Sequence, residues 1–512
     1  MVRIAAESLA GVVFMCLILV CCAVKDVVTG YDRERVACPF KSLVFGPGLE
    51  KDFVVPARFF YIQAVDFENN NFTYSPGKNA FEVVVKTIDG TRGRVWVQML
   101  DRNDGTFIVR YRLYTSYDNG IKIEVKSAGR HVADSPYKLK GLVKSENCNC
   151  PILDRDLWRS NMFCPAGIPR QIQSDFAIHP SINLKTLHRD VESRFARHHS
   201  LCHYTIINNK IYRKTLGSIV GFKMFSDAFL LSLTRKVKVP DVEFFINLGD
   251  WPLEKRDPED EPLPILSWCG STDSRDIVLP TYDITESTLE TMGRVSLDIM
   301  SVQANTGPKW ENKTSKAFWR GRDSRRERLN LVKLSRRRPE ILDAALTNFF
   351  FFRTEEEEYG PKVKHVSFFD FFNFKYQINV DGTVAAYRLP YLMAGDSTVF
   401  KHDSIYYEHF YSELEPWVHY VPFKQDLTDL EEKIEWAMEH DEEARTIAET
   451  GKAYVRENLT SNHIYCYYLK VLEEYAARQV GTPRVHEGME LVEHPTQNNE
   501  CDCPDSRQHE EL

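Results

Sequence analysis

Two hydrophobic rhythms divide this chain, and no single sheet or bundle satisfies both. Residues 40–143 alternate with period two in short runs: Phe81-Glu82-Val83-Val84-Val85, Val95-Trp96-Val97-Gln98-Met99, Phe107-Ile108-Val109-Arg110-Tyr111 and Ile121-Lys122-Ile123-Glu124-Val125. Asp89-Gly90, Asp104-Gly105 and Asn119-Gly120 separate them as turns. Such spacing predicts an antiparallel, immunoglobulin-like β-sandwich over residues 36–145.

From His179 onward the texture changes. Helical patterns at Leu187–Phe195, Val220–Leu233, Leu427–His440 and Glu442–Asn458 alternate with short apolar runs. Val242–Leu248 is almost continuously apolar, as a buried parallel strand would be, and Ala317–Trp319 and Val418–Val421 are further strand candidates. Alternation of this kind over residues 148–478 predicts an α/β domain with two sheets facing a cleft. Between the two regions, Lys144–Pro165 is a cysteine-bearing junction. After Gly481 the helical pattern stops, and the Pro-, Glu- and Asn-rich composition predicts an acidic flexible tail over 481–512.

Length and charge bound the function. At roughly 100–200 residues per domain, 512 residues suggest two to four domains. A net charge of -8 argues against a nucleic-acid partner, so any basic site must be a local pocket. Residues 1–23 read as a signal peptide, a basic start followed by an apolar run from Leu9. The other reading is a retained signal anchor; no later run is long and apolar enough to span a bilayer. His509-Glu510-Glu511-Leu512 resembles the Lys-Asp-Glu-Leu address read by a retrieval receptor, which predicts the endoplasmic reticulum lumen.

Nine cysteines follow residue 23, and in an oxidising lumen most should pair, leaving at least one free. Cys148-Asn149-Cys150 suits disulfides better than zinc, because no Cys/His pair follows at zinc spacing. The sequons at Asn71, Asn312 and Asn458 predict exposed glycan sites.

Four stretches carry chemistry. Asp250 follows the apolar run in Asn247-Leu248-Gly249-Asp250-Trp251-Pro252, where α/β sheets bind ligands; it is either a general base or an acidic turn residue. Lys316–Arg325 runs a strand into Arg320-Gly321, where Gly allows close approach and Arg can grip a phosphate bidentately. In Asp381–Leu389, small residues precede Arg388 at a helix start, as in a diphosphate cradle. Aromatics crowd Tyr406–Pro422, either for stacking on a sugar or for core packing.

Some of these residues match known families. Gly46-Pro47-Gly48-Leu49, Asp104-Gly105-Thr106-Phe107 and Ser135-Pro136-Tyr137 resemble a filamin-type repeat. Trp319-Arg320-Gly321, Val384–Arg388, Glu415–Tyr420 and Cys466-Tyr467-Tyr468 resemble the Rumi-type protein O-glucosyltransferases of the capsule-associated glycosyltransferase family. That resemblance implies a two-lobed glycosyltransferase-B-like domain. Its donor would be UDP-glucose, its acceptor a serine of a folded epidermal-growth-factor-like (EGF-like) repeat, and its chemistry inverting. By position, Asp250 would be the catalytic base, and Arg320 and Arg388 would bind the diphosphate. Ser315, Gly321, Thr383, Val384, Ala385, Ala386 and Tyr387 would contact the nucleotide sugar, with Arg294 in a nearby loop. The family's Arg-Asp-Tyr-Pro is Gly249-Asp250-Trp251-Pro252 here. The resemblance also implies that Cys466 pairs with a cysteine of the Cys148–Cys164 cluster.

No cofactor beyond the donor is expected. Asp154-Arg155-Asp156 has the letters of a metal-binding Asp-x-Asp but sits in the junction, so a metal-independent reaction is expected. UDP-xylose is the alternative donor, and a non-catalytic luminal binding protein is the alternative from another class. The sandwich would select or position acceptors.

Overall fold

The computed structural model describes residues 35–90, 93–195, 200–217, 220–257, 261–289, 297–493, 501 and 503. The expected signal peptide, Arg294 and His509–Leu512 lie outside them.

The N-terminal region is a β-sandwich. One sheet has the order Leu43–Phe45, Arg58–Gln63, Thr106–Leu113, Val95–Asp101. The other pairs Glu82–Thr87 with Ile121–Ser127, which also pairs with Arg130–His131 and Tyr137–Leu139. All pairings are antiparallel. Two glycines allow the opening turn to lie on the sheet. Gly46 has φ +129°, and a Cβ on Gly48 would meet the Phe59 carbonyl oxygen at 2.5 Å. The buried Arg58 guanidinium donates to the carbonyls of Glu50, Lys51 and Lys144, tying the start of the sandwich to its end.

Arg58–Gln63 shows no alternation because both of its faces are covered. Phe60 and Ile62 lie in the sandwich core. Phe59 joins Phe53, Val55, Leu100 and Ile108 in a core shared with Met300 and Phe176 of the following domain. A buried ion pair crosses the same boundary. Arg110 donates to Asp298 (3.0 Å) and Ser301 (3.1 Å). Asp298 in turn caps the helix Ile299–Gln303 by accepting the Met300 and Ser301 amides. That helix packs on the helix Leu389–Ala394. The sandwich is thus built into the second domain rather than strung before it.

The remaining described chain forms two large sheets and two small ones, Gly270–Ser271 with Tyr406–Tyr407 and Ile182–Asn183 with Gln479–Val480. The first has the order Ile277–Val278, Ile265–Ser267, Val242–Asn247, Leu201–Ile207, Lys210–Leu216, Glu490–Leu491. The expected parallel strand Val242–Asn247 is parallel to Ile265–Ser267 but antiparallel to Leu201–Ile207, so this sheet is mixed. The second sheet is parallel throughout: Leu342–Asn348, Thr314–Arg322, Phe374–Asn379, Thr398–His402, Val421–Phe423. The Val418–Val421 expectation shifts to Val421–Phe423. Trp417 stands at φ +64° in a turn, and the Thr450 hydroxyl donates to the Val418 carbonyl. The helix Ser461–Arg478 returns from the second lobe and packs under the first sheet, with Tyr475 against Phe244.

The flexible-tail expectation fails for the described part of 481–512. Glu490–Leu491 adds a strand beside Tyr212 and Arg213. Cys501 and Cys503 bond to Cys148 and Cys150. Periodicity cannot register order imposed by an edge pairing and two covalent links. Cys466 pairs with Cys164. Cys38, Cys202 and Cys269 are buried and unpaired. Asp154, of the Asp-x-Asp letters, caps the helix Arg155–Asn161. Among the described residues, no helix is long and apolar enough to cross a membrane.

Candidate active site

The strand Val242–Asn247 ends at a loop that holds Asp250. Buried Asn247 fixes this loop: its Oδ1 accepts the Gly249 amide (3.0 Å), and its Nδ2 donates to the Trp251 carbonyl (2.7 Å) and to Ser267 Oγ (3.1 Å). Ser267 donates to Asp276, whose carboxylate also accepts the Leu253 and Glu254 amides. Burial raises the Asp276 pKa to about 6. Asp250 projects, half-buried, from this frame. Burial raises its pKa, and the Arg322 guanidinium pulls it back down.

Asp250 faces the C-terminal ends of the parallel strands across a cleft of ≈ 490 Å³. Arg320, Gly321 and Arg322 line it from the end of Thr314–Arg322, Thr347 from the next strand, and Gly382–Arg388 from the loop after Phe374–Asn379. Tyr282 and Asp283 close the first-lobe side. A larger hollow of ≈ 990 Å³ lies beside the Cys164–Cys466 bridge; His409, Phe410, Glu413 and Glu415 of the aromatic stretch line it, and Asp250, Arg320 and Arg388 do not.

The arginines divide their work. Arg320 is held by Asp343, donating to its carboxylate and its carbonyl (both 3.0 Å), with its guanidinium over Phe318. Arg388 donates to the Arg320 carbonyl (2.6 Å), and burial, then nearby Arg322, lowers its pKa to about 10. Arg328 is buried and braces two strand ends, donating to the carbonyls of Arg322, Val380 and Asp381. Arg322 is exposed, and its guanidinium has no hydrogen-bond or ion-pair partner among the described residues. It is therefore the cation most available to a ligand beside Asp250. Sequence reading passed over it as one of several arginines near Arg320.

The side chains of Val384, Ala385 and Ala386 are buried, and Val384 and Ala385 pack with Cys269, so this loop offers the cleft mainly backbone. Gly321 is required by its own strand, since a Cβ there would lie 2.6 Å from the Trp319 ring. The Tyr387 hydroxyl is buried without a hydrogen-bond partner among the described residues, and the ring stands edge-on to Tyr282.

Ser315 is a correction. It lies exposed at the N-terminal end of the strand that carries Arg320 and Gly321 at its other end. Five residues of strand, about 16 Å, separate it from the cleft, and parallel sheets bind at their carboxyl ends. The Tyr406–Pro422 aromatics are absent from the cleft lining, where Tyr282, Tyr387, Phe368 and Phe371 stand instead. Asn71, Asn312 and Asn458 are exposed.

Comparison with known proteins meets this geometry. Residues 159–510 match the family described as glycosyl transferase family 90. The chain belongs to that family. Residues 36–138 match the filamin/ABP280 repeat. The family 90 chain is 60% identical over 473 residues to protein O-glucosyltransferase 2 of Danio rerio, covering 92% of this chain and 94% of that one. It is 54% identical to human protein O-glucosyltransferase 3, covering 93% and 95%. Human protein O-glucosyltransferase 1 is 30% identical over 54% of this chain and 71% of its own. The protein is a glycosyltransferase with an N-terminal filamin repeat and a two-lobed α/β domain.

Proposed function

We propose that this glycosyltransferase is a protein O-glucosyltransferase that moves glucose from UDP-glucose to a serine of a folded EGF-like repeat. The observation that carries the chemistry is Asp250 facing Arg322 and Arg388 across one cleft. The choice of glucose and a protein acceptor rests on the relatives' names. Nothing in the cleft favours xylose or a purely binding role.

A serine hydroxyl is a weak nucleophile until a positioned base accepts its proton. Asp250 takes that proton as the serine Oγ bonds to the anomeric carbon. The bond from that carbon to the diphosphate oxygen breaks, its electron pair leaves with UDP, and the centre inverts. Arg322 and Arg388 stabilise the charge that grows on the diphosphate, and no metal is assigned to this step. In this reading the Tyr387 hydroxyl, buried without a hydrogen-bond partner among the described residues, bonds the sugar. We assign the reaction to the endoplasmic reticulum lumen, with residues 509–512 as the address for a retrieval receptor. Three disulfides support an oxidising compartment. Asn71, Asn312 and Asn458 would carry glycans there.

The test is transfer of labelled sugar from UDP-glucose, and separately UDP-xylose, to folded EGF-like repeats in the presence of EDTA. Transfer from UDP-glucose supports the reading. Failure with both donors across a broad panel of repeats rejects it.

The titration of Asp250 gives a second test. The base acts only when ionised, so kcat/KM should fall as pH drops through its raised pKa. Arg322→Gln removes a charge that favours the carboxylate, so the acid limb should move to higher pH. A pH–rate profile unchanged by that substitution would separate Arg322 from Asp250.

A further inference from the structure

At the opposite end of the strand that leads to Asp250, three potential metal ligands meet in the interior. His203 Nε2 lies 3.1 Å from Glu243 Oε1, and His486 Nε2 lies 2.8 Å from the same oxygen. The three ligand atoms are all within 4.8 Å of one another. His203 and Glu243 come from adjacent strands of the mixed sheet and are buried. His486 comes from the segment after Gly481.

Both imidazoles are held by stacking. His203 lies flat on Phe245, with ring centroids 4.2 Å apart. His486 lies flat on His188, at 5.0 Å. His203 Nδ1 is buried without a hydrogen-bond partner among the described residues. We propose that His203, Glu243 and His486 bind a zinc ion that clips the 481–493 segment onto the first sheet.

Two imidazoles and one carboxylate form a borderline donor set that suits zinc, whereas calcium and magnesium take all-oxygen shells. Three protein ligands leave one position for water. Glu243 is buried with both imidazoles at one of its carboxylate oxygens, and a divalent cation there would neutralise the carboxylate.

The clip also accounts for the path of the segment. Val485 and Leu491 are exposed, and only two residues of strand pair with the sheet edge. His486 is the side chain that reaches inward to Glu243.

The experiment uses the tag-free full chain without reductant, so that the disulfides stay closed. After treatment with a chelator, it is titrated with zinc alone, with calcium as control and cobalt as a spectroscopic probe of the ligand set. The expected result is one zinc per chain and a cobalt spectrum of mixed nitrogen and oxygen ligation. Zinc should also slow hydrogen exchange in residues 481–493. His486→Ala and Glu243→Gln should weaken binding beyond the ~10–100-fold that an outer partner contributes. If Glu243→Gln fails to fold, His486→Ala, altered on the segment side, still gives the answer. Absence of stoichiometric zinc binding, or binding unchanged in His486→Ala, would make the three groups a hydrogen-bonded triad and overturn the proposal. Neither readout depends on sugar transfer.

Discussion

Asp250→Asn should lower glucosyl transfer by ~10²–10⁴-fold while leaving UDP binding nearly intact. The amide fills almost the same space, and Asn247 still anchors the loop through the Gly249 amide and the Trp251 carbonyl. What disappears is a group that can accept the serine proton. Binding should even improve slightly, because a carboxylate beside the diphosphate site repels it, and the Arg322 charge is then free of Asp250. The check is kcat with a folded acceptor repeat, set against the Kd of UDP by calorimetry. Retention of more than about a tenth of wild-type kcat would remove Asp250 as the base. A parallel collapse of UDP binding would instead mean that the substitution damaged the loop.

The second large effect concerns stability. Arg110→Met should destabilise the chain by roughly 3–5 kcal/mol, because Asp298 stays buried without its cation. The helix-cap amides of Met300 and Ser301 still reach Asp298, which places the expected loss toward the lower end of that range. The pair joins the filamin repeat to the helix Ile299–Gln303, which packs on the helix following Arg388. Thermal unfolding of the wild type should be a single transition. In Arg110→Met it should shift down and broaden or split as the two domains uncouple. The Km for UDP-glucose should rise with it, since the cleft-lining loop Gly382–Arg388, which leads into the helix Leu389–Ala394, loses support. An unchanged transition would show that the interface is carried by apolar contact alone.

The same interface bears on the role of the filamin repeat. Deleting residues 36–145 would strip Phe53, Phe59 and Ile108 from a core they share with the transferase domain. Loss of activity on deletion would then report folding rather than acceptor choice. Substitutions on the outward face of the second sandwich sheet, for instance at the partly exposed Lys86 or Lys126, are the better probe of acceptor positioning.

The sequence by itself determined what depends on neighbours along the chain. Period-two runs broken by Asp-Gly and Asn-Gly turns marked the sandwich, and helical spacing marked Asp441–Asn458 and Lys223–Lys236 to within a few residues. A carboxylate just past an apolar run, and Arg-Gly just past another, marked two strand ends at which a ligand site would form. The tertiary structure alone decided what depends on residues far apart. Arg58–Gln63 carried no strand signal because a second domain covers its outer face. Arg320 and Arg322 look alike as letters, but Asp343, on a neighbouring strand, occupies the first and leaves the second facing Asp250. Ser315 sits in the right motif at the wrong end of its strand, which only the direction of the sheet reveals. The tail is composed like a disordered segment and is nonetheless held, by an edge pairing, by His486 on Glu243 and by two disulfides that span 353 residues each. Local periodicity reports which face of an element is apolar; it carries no information about which distant partner will cover it.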